Sequence, residues 1–152
     1  MRLRTTEDIA LPQDRVFAYV TDFDLLERRA LRRGAEVRRL DQGPVGKDTR
    51  WTLAFDYRGK HRKVDSQVTD FTPPDGYTVE SHSSGVDIVT RVELAPAGAD
   101  RTRLKLVLDI TPKTLPARVL VQSLRLGRGA VEARMSRRLA DYAREIEARH
   151  AA

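Results

Sequence analysis

From Ala35 to Ile110 the apolar residues recur at every second position, a rhythm that runs for about 75 residues and is the signature of β-strands with one buried face. Trp51, Leu53, Phe55 and Tyr57 share one parity, and so do Val64, Ser66 and Val68. Tyr77 and Val79 open a further strand, Val86, Ile88, Thr90, Val92 and Leu94 form the clearest alternation, and Thr102, Leu104, Leu106, Leu108 and Ile110 complete the series. Successive side chains of a strand point to opposite faces, so each segment presents one apolar and one polar side. The separators are turn-forming: Gln42-Gly43-Pro44, Arg58-Gly59, Pro73-Pro74-Asp75-Gly76, Ser83-Ser84-Gly85, and the loop from Pro96 to Asp100. Such short connections predict a mostly antiparallel sheet.

A sheet with one apolar face must cover it. The C-terminal segment supplies the cover, because Leu120, Leu124, Gly127, Val131, Met135, Leu139, Tyr142 and Ile146 step by three or four residues as on one side of a helix. One unbroken helix from Pro116 to Arg149 would span roughly 50 Å. A globule of this length is only about 40 Å across. A kink, break or late start is therefore expected near Gly127-Arg128-Gly129. At the other end, Arg2 to Leu11 alternates as a first strand and Pro12 pre-sets a helical turn. Gln13 to Val20 reads as a short helix, and Asp24 to Arg33 as a second, with Leu25, Leu26 and Leu31 apolar and Gly34 as its stop. The expected architecture is α+β: a curved seven-stranded antiparallel sheet, two short helices after the first strand, and a long terminal helix over the concave face. All 152 residues are expected to form one domain.

This order leaves a concave, mostly apolar space between sheet and helix, the kind of place where small ligands sit. Strand parity puts Trp51, Phe55, Tyr57, Ser66, Val68, Val79, Ser81, Ser83, Ile88, Thr90, Leu106 and Leu108 toward that space. Leu120, Leu124 and Val131 would face them from the helix, and Phe17, beside Val16 and Val20 on the first short helix, would line its end. The polar members are hydroxyls, which orient a ligand's polar group but seldom transfer protons without a base beside them.

Ionisable candidates are few. Glu7 shares its parity with Leu3, Ile9 and Leu11 and is aimed inward, as a cavity acid or an arginine's partner. His82 has the parity opposite to Tyr77 and Val79 and is expected in solvent, although a bulge would turn it inward with Glu80. His61, beside a turn, and His150, in the tail, are expected to be exposed. The chain has no cysteine, which excludes disulfides and thiolate chemistry. No HxH or HExxH spacing exists, so neither a metal nor another cofactor is expected.

No apolar run follows the arginines of MRLRTTED and no segment reaches the ~20 apolar residues of a membrane span, so a cytoplasmic location is expected. The net charge of +6 raises the possibility of nucleic acid or an anionic surface as partner. Arginines crowd positions 28–39 and dot the C-terminal segment, but without the interleaved aromatics that stack on bases. Solvated faces account for them more simply.

Several strings resemble the START-like helix-grip (SRPBCC) superfamily, in particular its bacterial polyketide cyclase/dehydrase and lipid-transport group. They are IALPQDRVFAYVTDFD (Ile9 to Asp24), GPVGKDTRW (Gly43 to Trp51), VTDFTPPDGY (Val68 to Tyr77) and DRTRLKLVLDI (Asp100 to Ile110). The resemblance covers nearly the whole chain. It implies a helix-grip fold and a hydrophobic or amphipathic ligand, such as a lipid, an isoprenoid or an aromatic polyketide-like molecule. The group often carries a proline–tryptophan pair after the acidic turn, where this chain has LLERRALRR. No single catalytic motif defines the group, and none is carried over. A carrier is favoured over an enzyme; an enzyme of this kind would perform cyclase- or dehydratase-type chemistry without a metal. Gly127 and Gly129 are expected to let the first part of the last helix swing to admit ligand. Oligomeric state is not encoded in any of these features.

Overall fold

A computed structural model describes residues 1–57 and 59–151. Their elements run β1 (Arg2–Ile9), α1 (Gln13–Val20), α2 (Phe23–Arg32), β2 (Glu36–Arg39), β3 (Arg50–Tyr57), β4 (Lys60–Thr72), β5 (Gly76–Ser83), β6 (Val86–Pro96), β7 (Thr102–Pro112), α3 (Leu115–Leu126) and α4 (Arg128–Ala151). The strands form one antiparallel sheet in the order β1-β7-β6-β5-β4-β3-β2. This is the α+β helix-grip architecture read from the alternation. Arg58, half of the expected Arg58-Gly59 turn, lies outside the described residues.

The register aligns the inward parities into rows across the sheet. One row runs Trp51, Ser66, Ser81, Ile88 and Ile110. The next runs Val68, Val79, Thr90, Leu108 and Leu3. A third would be out of step on simple alternation, because Phe71 is an odd-numbered neighbour of Val68. A β-bulge between Val68 and Asp70 adds a residue to β4, and Phe71 then stands opposite Tyr77, in line with Val92, Leu106 and Thr5.

The short helices close one end of this surface. Pro12 starts α1, and Thr21 ends it by returning both its amide (3.1 Å) and its hydroxyl (2.6 Å) to the Phe17 carbonyl. Asp22 then caps α2 by accepting from the Leu25 amide at 3.2 Å. Gln13 ties α1 to the β4–β5 turn, donating to the Pro74 carbonyl at 3.0 Å. Val16, Phe17, Val20 and Phe23 enter the main core with Trp51, Val68, Tyr77, Leu104 and Ile146. α2 begins at Phe23, one residue earlier than expected, and that aromatic ring is buried in the core. Leu31 is left 54% exposed, in place of the apolar role expected for it.

The terminal helix is broken at Gly127, as length and glycine placement predict. Thr114 caps α3 by accepting from the Ala117 amide at 3.3 Å. The break resets the azimuth of the apolar stripe. On α3 the deepest side chains are Ala117 and Val121, while Leu120 and Leu124 are half-buried. On α4 they are Leu139, Ala143 and Ile146. The first turns of α4 lie along β1. Arg128 donates to the Arg2 carbonyl at 2.7 Å, and the Arg4 amide donates to Glu132 at 3.1 Å. A smaller core of Leu3, Ile110 and Val121 lies at this end, with Ile88, Leu108, Val131 and Met135 packed against it.

Candidate functional site

The sheet's apolar face is not filled everywhere by the helices. A hollow of about 180 Å³ lies between α2 and the β2–β5 part of the sheet, lined by Phe23, Leu26, Glu27, Ala30, Val37, Trp51, Leu53, Ser66 and Val79. A second, of about 160 Å³, lies under α4 and is lined by Val20, Leu26, Tyr77, Val92, Leu104, Leu106, Leu139 and Tyr142. Leu26 is a wall of both. The space expected under one long helix is thus divided by α2, which reaches over the sheet from the plugged end.

An aromatic chain connects the two hollows. The Phe23 ring packs edge-on against Trp51, with centroids 4.9 Å apart, and against Tyr77, 5.3 Å away. Such edge-to-face contacts fix ring orientation as well as burying surface. The Trp51 indole N–H donates to the Glu27 carboxylate at 2.6 Å, so an acid stands on the wall of the first hollow with one oxygen engaged. Deeper on the sheet, the Ser66 and Ser81 hydroxyls share a hydrogen bond of 2.7 Å. Two phenols border the second hollow. The Tyr77 hydroxyl donates to the Val20 carbonyl at 3.0 Å, and burial holds its pKa well above the ordinary range. Burial likewise pushes Tyr142 up to about 12. Both phenols stay protonated at neutral pH, and Tyr77 donates its proton to the backbone.

Beside Tyr142, α2 and α4 are joined by charge. Arg29 of α2 reaches α4, where its guanidinium pairs with Glu145 and lies 5.3 Å from the Tyr142 ring centroid. This couples the two helices that wall the space, through an ion pair and a cation–π contact.

Of the residues assigned to the cavity from strand parity, Trp51, Ser66 and Val79 line the first hollow and Leu106 the second. Val68, Thr90 and Ser81 share their face by register. Ile88, Leu108 and Val131 pack in the smaller core, and Phe17 packs against Phe71 at 5.5 Å. Ser83 donates to the Lys63 carbonyl at 2.7 Å. Phe55 is half-buried, whereas Tyr57, at the strand's end, is 46% exposed beneath Arg62. Leu120 and Leu124 are half-buried on α3 and border neither hollow. Glu7 is half-buried opposite Leu104, away from both. His82 is exposed and its Nδ1 lies 2.6 Å from Asp87, because the sheet's bulge falls in β4 and leaves the parity of β5 intact. That hydrogen bond holds the Asp87 carboxyl below its ordinary range.

Parity missed the residues contributed by α2. Leu26 was visible as part of an apolar side, and Leu53, Tyr77 and Tyr142 belonged to apolar stripes, but nothing distinguished Glu27 from any solvated helix acid.

A curved antiparallel sheet closed by helices around apolar hollows defines a helix-grip protein of the START-like class. The chain belongs to the polyketide cyclase/dehydrase and lipid-transport family, whose model matches residues 1–147. Among solved structures, it is similar to a protein of Thermus thermophilus (16% identity, TM-score 0.71, covering 97% of this chain and 98% of that one). It is also similar to the Zhui aromatase/cyclase of a Streptomyces (19% identity, TM-score 0.69, covering 98% and 94%). Norcoclaurine synthase of Thalictrum flavum, solved as a point mutant with a transition-state analogue, shares 15% identity at TM-score 0.70, covering 100% and 96%. At these identities the likeness is one of fold. No curated protein compared with the chain is a significant match.

Proposed function

We propose that this protein binds a small hydrophobic or amphipathic molecule, lipid-like, isoprenoid or aromatic polyketide-like, in the twin hollow around Leu26. The observation that supports this reading most is a pair of adjoining apolar spaces on one sheet face with few polar groups on their walls. A ligand burying on the order of 200 Å² of apolar surface there would gain about 5 kcal/mol before the costs of association. Glu27 and the Ser66–Ser81 pair would orient its polar end.

The second reading, a cyclase-type reaction on a polyketone chain, draws on the family and on Glu27. A carboxylate on an apolar wall can accept a proton from a carbon acid held against it, while the hollow imposes the fold of the chain. Binding is common to both readings; turnover separates them.

The chain's single tryptophan lines the site, so it reports occupancy directly. Titration with fatty acids, isoprenoid alcohols and aromatic polyketide mimics is expected to shift or quench Trp51 emission with saturation for at least one class. Val79→Phe, which narrows the first hollow without adding a second tryptophan, should weaken binding while the fold persists. Unchanged emission across all classes, together with no co-purifying molecule in native mass spectrometry, would refute ligand binding. Under the enzyme reading, Glu27→Gln retains binding and loses turnover.

A further inference from the structure

α3 carries apolar surface on two sides. Ala117 and Val121 point into the protein. On the opposite side Leu115, Val119 and Leu126 are 73%, 65% and 93% exposed, which makes them the most exposed large apolar residues among those described. At about 100° of rotation per residue, these three fall within about 40° of arc, a narrow stripe along the whole helix. Leu126 at 93% exposure contributes nothing to the core, and Leu115 and Val119 keep most of their surface outside it.

The charges around it have one sign. Between Asp109 and Glu132 there is no acid, and the charged residues are Lys113, Arg118, Arg125 and Arg128. Arg118 and Arg125 lie beside the stripe on the same edge of the helix, both exposed, and neither has a carboxylate partner among the described residues. Some sheet arginines, by contrast, are paired: Arg2 and Arg91 with Asp109, and Arg103 with Asp8. An exposed apolar stripe flanked by unpaired arginines is the composition of a helix that lies in the plane of a lipid interface.

We propose that α3 docks the protein on an anionic bilayer surface, with Leu115, Val119 and Leu126 entering the headgroup–acyl boundary and Arg118 and Arg125 held at the lipid phosphates. A second copy of the chain suits the surface less well. Antiparallel two-fold pairing of two stripes would bring each pair of arginines against its own kind. This surface is separate from the hollows, so docking does not depend on what they hold.

Flotation of the full chain with vesicles tests the proposal. The protein is expected to float with equimolar phosphatidylglycerol and phosphatidylcholine, to remain behind with phosphatidylcholine alone, and to be released as salt rises from about 0.05 to about 0.5 M. Neutralising either Arg118 or Arg125 with glutamine should weaken association about fivefold. Leu126→Ser, at a position without packing, should weaken it several-fold with an unchanged melting temperature. Equal binding to both vesicle types, or anionic binding unaffected by these substitutions, overturns the proposal. So does a concentration-dependent dimer that Leu126→Ser dissociates, which would assign the stripe to self-association. Trp51 emission read on the same variants stays as in the parent, so failure here is distinguishable from failure of the cavity.

Discussion

Replacing Leu26 by alanine examines the partition of the site. Leu26 borders both hollows and is half-buried. Full burial would place its loss at about 2.7–5.0 kcal/mol, so a half-buried leucine should cost about 1.5–2.5 kcal/mol. With a urea dependence of about 1.5–2 kcal/mol per molar, the midpoint of unfolding falls by about 1 M. The same truncation removes the wall between spaces of about 180 and 160 Å³. With the volume of the deleted carbons the merged site is on the order of 400 Å³, inside the range that holds drug-sized ligands. An apolar naphthalene-type fluorescent probe should therefore bind Leu26→Ala about three- to tenfold more tightly than the parent, even though the fold is weaker. Leu26→Trp should do the reverse and exclude the probe. A destabilised variant with unchanged probe affinity would show that Leu26 does not separate the hollows. An unchanged unfolding midpoint would show that its packing is not what its position implies.

Two further outcomes follow from backbone and charge. Gly76 has φ +151°, and a β-carbon there would meet the Val92 carbonyl oxygen at 2.0 Å, so Gly76→Ala should lose on the order of 3 kcal/mol or more, read by chemical denaturation. Asp109 is held below its ordinary pKa of 3.8 mainly by its hydrogen bond from Arg2 at 2.7 Å, and further by Arg91 at 2.5 Å. A depressed carboxylate stabilises the fold above its unfolded value and ceases to do so as pH falls through the folded one. The melting-temperature gap between the parent and Asp109→Asn should accordingly be full at neutral pH and close below about pH 3.8.

The sheet was legible because alternation is a local consequence of strand geometry, and the rows from Trp51 to Ile110 follow from it without tertiary knowledge. The bulge was not, since Val68-Thr69-Asp70 contains neither glycine nor proline and only the register with β5 exposes the extra residue. The break at Gly127 was legible from length and glycine spacing together. Parity identified a face but not depth along it. Trp51 and Tyr57 have the same parity, yet one lines a hollow and the other stands at the rim. The contribution of α2 was hidden for a different reason. A ten-residue helix has its azimuth set by what it packs on, so the inward turn of Glu27 and Ala30 and the outward turn of Leu31 depend on the curvature of a sheet formed mostly by later residues.

The contacts of Arg128 and Glu132 with β1 have a consequence for the chain among its own copies. An edge strand presents free amides and carbonyls that can template pairing with another chain, which is how folded sheets come to aggregate. Here the Arg4 amide and the Arg2 carbonyl are already occupied by two side chains from the first turns of α4. The opposite edge, β2, is only four residues long and carries Glu36, Arg38 and Arg39. The helix that grips the sheet thus also blunts the start of β1 as a template for a further strand, and β2 offers only a short, charged margin at the other side.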